Sequence, residues 1–258
     1  IRSRLVGSEM CIRDRPILIL HGLMGGLSNF DGVFKYFPKQ GYQVIAPELP
    51  IYNSSLLNTN VKFFAKFVYK FIKFKNLRDV IILGNSLGGH VGLIFSKLYP
   101  KLIKGLVLTG SSGLYENSMG DSYPKREDYN YIKERTEAVF FDPKIATKKI
   151  VDEVYETVND RKKLIKILAM AKSAIRHNMS NDLPNILAET AIIWGENDSV
   201  TPPEVADEFK KLLPNSQLFW IKNCGHAPMM EHPDKFNEIM FSWIKKNKFW
   251  INALNENC

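Results

Sequence analysis

Apolar residues along this chain fall into two rhythms that alternate. Short, nearly continuous apolar and β-branched runs occur at 17–20, 43–46, 80–83, 106–109, 191–194 and 218–221. A run without polar alternation predicts a strand buried on both faces, as in a parallel sheet. Between most of these runs lie amphipathic stretches of helical length, at 29–38, 61–75, 87–99, 204–213 and 233–245. The alternation predicts an α/β fold, an open and mostly parallel sheet covered by helices on both faces. Within 61–75, Lys62, Lys66, Lys70 and Lys73 recur at helical spacing with Phe63, Phe64, Phe67, Phe71 and Phe74 between them, which predicts a solvated face opposite a buried one.

The rhythm breaks once. Residues 111 to about 190 contain no convincing strand and read as a loop followed by helices at 127–139, 144–158 and 161–177. The second is entered through Asp142 and Pro143, read as N-cap and first helical residue. The chain thus divides into a core, 16–112 with 185–258, and a helical insertion, 113–184. The insertion is expected to act as a lid, because loops at the C-terminal edge of a parallel sheet usually carry function.

Composition narrows the class. A chain of 258 residues with 45% hydrophobic content can bury one full core plus an insertion. It has no apolar run of the roughly eighteen residues a membrane span needs, so a soluble protein without a membrane partner is expected. The net charge of +8 is spread over interleaved basic and acidic residues, and no nucleic-acid motif accompanies it, so nucleic acid is not an expected partner. Cys11, Cys224 and Cys258 lie far apart and suggest neither a disulfide framework nor a zinc site; a reducing, cytoplasmic setting is expected.

Candidate chemistry sits at strand ends. Gly84-Asn85-Ser86-Leu87-Gly88-Gly89 follows the run 80–83 and opens a helix, the context that the nucleophile-elbow pattern G-x-S-x-G requires. A serine on so sharp a turn has a strained backbone, and neighbouring turns press so close that only glycine fits at Gly84 and Gly88. The plainer reading is a tight strand-to-helix turn with an incidental serine. His21-Gly22-Leu23-Met24-Gly25-Gly26 follows the first run in the same way. An acyl-transfer intermediate needs two preorganised donors for its oxyanion; the Leu23 and Leu87 N–H groups are assigned, with Met24 as the alternative to Leu23. Neither G-x-x-x-x-G-K-[ST] nor G-x-G-x-x-G occurs, and no cofactor is expected.

Two further strand-end loops carry the remaining candidates: Trp194-Gly195-Glu196-Asn197-Asp198, and Asn223-Cys224-Gly225-His226-Ala227-Pro228. In an open parallel sheet all C-terminal strand ends lie on one side, so Ser86, a carboxylate and His226 can converge. Glu196 and Asp198 both offer that carboxylate, and Asp198 also reads as a turn or capping residue. His90 and His232 pair with no Cys, Asp or His at metal-ligand spacing, and no metal is expected.

The segments HGLMGG (21–26), GNSLGGH (84–90), WGENDSVTP (194–202) and NCGHAPMMEHP (223–233) resemble those of the α/β-hydrolase superfamily over residues 16–245. The resemblance implies Ser86 as nucleophile, His226 as general base and Asp198, rather than Glu196, as the acid that orients the base. It implies an acyl-enzyme mechanism on a small-molecule substrate, a small or medium carboxylic ester. GNSLGGH resembles the elbow of the meta-cleavage-product hydrolases, which split carbon–carbon bonds. That subfamily usually has HGxGPG where HGLMGG stands, and tryptophan where Ala227 stands. A serine elbow disfavours epoxide hydrolase or dehalogenase chemistry, which would have aspartate there. The fold also hosts menaquinone-pathway lyases, often with arginine where His90 stands, and non-catalytic ligand-binding proteins.

Residues 1–15 have no period and no signal-peptide core. LVGSEMCIRD (5–14) resembles the in-frame translation of a transposase-type sequencing adapter, so 1–15 is set aside as non-native and outside the fold. The resembled family usually has two strands before the one beginning at Pro16, so a natural N-terminus upstream of Pro16 is expected.

Overall fold

The computed structural model describes residues 3–6, 15–117 and 125–249. Its strands are β1 (Ser3–Val6), β2 (Pro16–Leu20), β3 (Gln43–Pro47), β4 (Val80–Asn85), β5 (Ile103–Thr109), β6 (Thr190–Gly195) and β7 (Ser216–Ile221). They form one sheet in the order β1-β3-β2-β4-β5-β6-β7. Every neighbouring pair is parallel except β1 on β3. The six strands expected from apolar runs are all present. Five of the runs are buried on both faces, whereas 218–221, on the edge strand β7, is half-buried at Leu218, Phe219 and Trp220 because no strand covers its outer side.

β1 departs from expectation. The non-native reading of residues 1–15 puts them outside the fold, yet Ser3–Val6 pairs antiparallel with β3, Ser3 opposite Pro47 and Val6 opposite Val44. The strand is held by backbone ladder bonds on the open edge of β3, and its side chains alternate between exposed and half-buried. So short a solvent-facing strand leaves almost no apolar signal. Arg4 ties it to the core by an ion pair with Asp31 at 2.5 Å and by stacking on Phe34. Cys11 and Cys258 lie outside the described residues.

Alternate residues of each strand serve opposite faces of the sheet. Ile17, Ile19, Ile81, Leu83, Val107 and Ile193 face α1 (Asp31–Tyr36) and α9 (Pro233–Lys246), packing with Phe34, Phe236, Met240 and Trp243. Leu18, Leu20, Ile82, Leu106, Leu108 and Trp194 face α2 (Val61–Phe74), α3 (Leu87–Leu98) and α7 (Pro203–Leu212), packing with Phe64, Phe71, Phe95 and Phe209. Each such fully buried side chain contributes about 1.5–3 kcal/mol.

In α2 the four lysines are exposed as expected, and the Asn60 side chain caps the Phe63 N–H at 2.9 Å. Its phenylalanines are less uniform: Phe64 and Phe71 are fully buried, Phe63 and Phe67 half-buried, and Phe74 is 72% exposed. Phe64 and Phe71, seven apart, lie on the buried stripe; Phe67 flanks it, and Phe74, on the same flank, is the last residue of the helix.

Between β5 and β6 the chain forms α4 (Tyr129–Glu137), α5 (Lys148–Asn159) and α6 (Arg161–Arg176). Asp142 and Pro143 open only a short turn, Pro143–Ile145, and α5 starts later behind the cap of Thr147. Ala146, at φ −73° and ψ 69°, interrupts the helical backbone between them. This segment is tied to α2 and α3 through Val61 N–H to Ser173 Oγ (3.2 Å) and Lys97 to Asp182 (2.6 Å), and Met179 N–H to the Gly113 carbonyl (2.7 Å) joins its own two ends. Among the described residues no helix is long and apolar enough to cross a membrane.

Candidate active site

At the end of β4 the backbone of Ser86 adopts φ 53° and ψ −120°, a conformation that costs roughly 1–3 kcal/mol for a non-glycine residue. The reason for the glycines around it is visible in space. A Cβ on Gly84 would lie 2.5 Å from the Gly89 backbone, and one on Gly88 would drive into the Leu20 carbonyl. The turn is braced by Ser86 N–H to the Thr109 carbonyl (3.2 Å) and by Ser112 N–H to the Ser86 carbonyl (3.1 Å). α3 starts immediately after Ser86, so the serine sits at the positive end of a helix.

The loop after β2 runs beside it: a Cβ on Gly22 would be 3.3 Å from the Ser86 Cβ. His21 fixes that loop. Its Nδ1–H donates to the Gly22 carbonyl at 2.9 Å, and its Nε2 accepts the Leu49 N–H at 3.0 Å. Burial holds this imidazole below its ordinary pKa. Among the described residues, the N–H groups of Leu23, Met24 and Leu87 donate to no protein acceptor. They are available to an incoming group.

Asp198, after β6, is buried, whereas Glu196 is exposed. One Asp198 oxygen accepts the Val200 and Thr201 N–H groups, each at 2.9 Å, and the other accepts the Thr201 hydroxyl at 2.8 Å. His226, after β7, donates from Nδ1 to the same carboxylate at 2.9 and 3.1 Å. The turn reading of Asp198 and its pairing with His226 therefore hold together, one carboxylate serving both. Burial alone would lower the His226 pKa, but the charge and hydrogen bond of Asp198, with the charges of Glu116 and Glu231, outweigh it and raise it above its ordinary value. Among the described residues, neither Ser86 Oγ nor His226 Nε2 makes a hydrogen bond, to each other or to any other group.

Several partners in this arrangement left little trace in the sequence. Glu231, on the short α8 (Pro228–Glu231), accepts the Gly225 N–H at 2.7 Å with one oxygen, and the Phe141 and Asp142 N–H groups at 2.8 and 3.3 Å with the other. His226 N–H donates to the Val139 carbonyl at 2.9 Å, so the insertion abuts the histidine loop. His232 closes that loop with a 2.8 Å bond to the Asn223 carbonyl. His90 does find a histidine: its Nε2 lies 3.2 Å from Nδ1 of His177, at the end of α6, and burial with that neighbour pushes His90 down to about 3. No spacing rule could couple residues so far apart. Thr201 alone had a local signal, the D-x-x-T spacing of a side-chain-closed turn. Among the described residues no group of three or more His, Cys, Asp or Glu side chains is placed to hold a metal ion.

Comparison with known proteins places the chain in a family. The sequence model of the alpha/beta hydrolase fold family matches residues 15–233. Lipase 1 of Psychrobacter immobilis is 24% identical over 254 residues, 87% of this chain and 75% of that protein. A 2-hydroxy-6-oxononadienedioate/2-hydroxy-6-oxononatrienedioate hydrolase of Comamonas testosteroni is 26% identical over 251 residues, 88% of this chain and 87% of that protein. Among solved structures, the α/β hydrolase enzyme MGS-MChE2, from a metagenome of Mar Chica lagoon sediments in Morocco, is 50% identical, with a TM-score of 0.78 and 95% of each chain covered. With a strained serine elbow, a buried Asp–His pair and a family match over most of its length, this chain belongs to the alpha/beta hydrolase fold family.

Proposed function

We propose that the protein is a serine hydrolase acting on a small or medium carboxylic ester. The observation that carries the reading is the buried Asp198–His226 pair at the sheet edge that also holds the strained Ser86. His226 takes the Ser86 proton as Oγ attacks the ester carbonyl; Asp198 holds the imidazole in its Nδ1–H tautomer and stabilises the imidazolium. The Leu87 N–H, with that of Leu23 or Met24, receives the oxyanion. His226 then protonates the leaving alcohol, and water, activated by the same imidazole, releases the acid. The serine–imidazole bond forms in this reading when substrate binds, since such bonds are often long in the unliganded enzyme. Residues 113–184 serve as the cap that covers and selects the substrate.

The likeness to the Comamonas hydrolase and the GNSLGGH elbow favour a second reading, carbon–carbon cleavage of a ring-fission product. One experiment separates the two: fluorophosphonate labelling, followed by turnover of p-nitrophenyl esters of increasing chain length beside a ring-fission dienoate. Labelling at Ser86 with ester turnover supports the first reading. Dienoate turnover without ester turnover replaces it with the second, and absence of labelling defeats both.

A further inference from the structure

A third carboxylate stands in this region, and the mechanism does not use it. The loop that leaves β5 is anchored at both ends of the candidate site. Ser112 N–H bonds the Ser86 carbonyl at 3.1 Å, and Asn117 bonds the turn behind Asp198, N–H to the Val200 carbonyl at 2.7 Å and Nδ2 to the Ser199 carbonyl at 3.0 Å. Glu116 lies between these anchors, half-buried. Its carboxylate accepts the hydroxyl of Ser112 at 2.7 Å, and among the described residues it forms no ion pair.

The contrast with its neighbours matters. Asp198 shares its charge with His226 and three further donors, and Glu231 is spent on three backbone N–H groups. Glu116 has one neutral hydroxyl. Its charge, with those of Asp198 and Glu231, also acts on the His226 imidazole.

We propose that Glu116 is a specificity-determining residue that turns away acyl groups carrying a carboxylate, so that the substrate is an uncharged ester. The inference rests on Ser86 being the nucleophile. An acid-tipped acyl chain approaching Ser86 meets a like charge in a partly desolvated setting, without an ion-pair partner among the described residues, and like-charge juxtaposition is an effective means of rejection. An uncharged chain of the same length meets no such field.

The test compares p-nitrophenyl pentanoate with the mono-p-nitrophenyl ester of glutaric acid, which differs by a terminal carboxylate, in the parent and in Glu116→Gln. The parent is expected to favour the uncharged ester in kcat/KM. Glu116→Gln is expected to narrow the ratio about tenfold, with a smaller change at high salt, where the charge is screened. The ratio is internal to each protein and is insensitive to a partial loss of folded enzyme. Labelling rates with an alkyl fluorophosphonate and its carboxylate-tipped analogue give the same ratio without turnover. An equal ratio in parent and variant overturns the role of Glu116 alone. A parent that neither turns over the esters nor labels at Ser86 overturns the nucleophile and the specificity inference with it.

Discussion

The side-chain amide of Asn85 donates to the main-chain carbonyl of His226 at 3.2 Å and to that of Thr109 at 3.0 Å. The residue immediately before the strained serine thus ties together the ends of β4 and β5 and the loop after β7. Both bonds are buried; removing the donor leaves the His226 carbonyl unsatisfied, at about 1–3 kcal/mol, while the Thr109 carbonyl keeps the Ser86 N–H. Asn85→Leu is expected to lower the urea midpoint accordingly and to reduce kcat at least tenfold (~1.4 kcal/mol) through misplacement of the imidazole. A variant with parent-like kinetics would show that this tie does not position the site.

Replacing the serine hydroxyl separates chemistry from folding. Ser86→Ala is expected to lower kcat by about six orders of magnitude, while its thermal midpoint stays within a few degrees of the parent, because alanine inherits the same strained backbone. Stopped-assay kinetics and differential scanning fluorimetry on one preparation check both halves.

The raised pKa of His226 has opposite consequences for activity and stability. The base works when neutral, so kcat/KM is expected to rise with pH, its acid limb lying above the unperturbed ~6.5 of histidine. The native state favours the protonated imidazole, so this group's stabilisation is full below about pH 6.5 and is lost as pH rises through the folded pKa. Asp198→Asn removes the largest raising influence. It should move the limb downward and cut kcat by about 10⁴-fold; an unmoved limb in pH–rate profiles would contradict the pairing.

Two glycine substitutions should differ sharply. A Cβ at Gly88 meets the Leu20 carbonyl, where strand and helix backbones touch, whereas at Gly26 the nearest atom is the Ser28 Oγ at 3.6 Å. Gly88→Ala is expected to cost more than about 3 kcal/mol or to fail to accumulate as folded protein, and Gly26→Ala to change stability by less than about 1 kcal/mol. Comparable soluble yields and melting temperatures would show that the elbow relaxes around the extra methyl.

Some features were legible in the chain and others were not, and the division follows the range of the interactions. The runs at 17–20, 80–83 and 191–194 became the buried strands β2, β4 and β6, because burial on both faces demands unbroken apolar sequence. Ser86 announced itself through Gly84 and Gly88, whose Cβ atoms have nowhere to go. The edge strand β1 did not, since its pairing draws on backbone groups and leaves half its side chains in water. Asp142 and Pro143 misled for a local reason, capping a single turn ahead of the true start of α5.

The sequence by itself determined the alternating strands and helices, the glycine-lined elbow and the identity of the loops bearing Asp198 and His226, because each depends on residues adjacent along the chain. Position along the chain left Glu196 and Asp198 as rivals; the family resemblance chose Asp198, and the tertiary structure puts its carboxylate against the imidazole. It alone brought Asn85 to the His226 carbonyl, Glu231 to the insertion and Glu116 to the Ser112 hydroxyl beneath the elbow. Hydrogen bonds between loops depend on where the sheet places its strand ends, and no periodicity within one segment encodes the position of another.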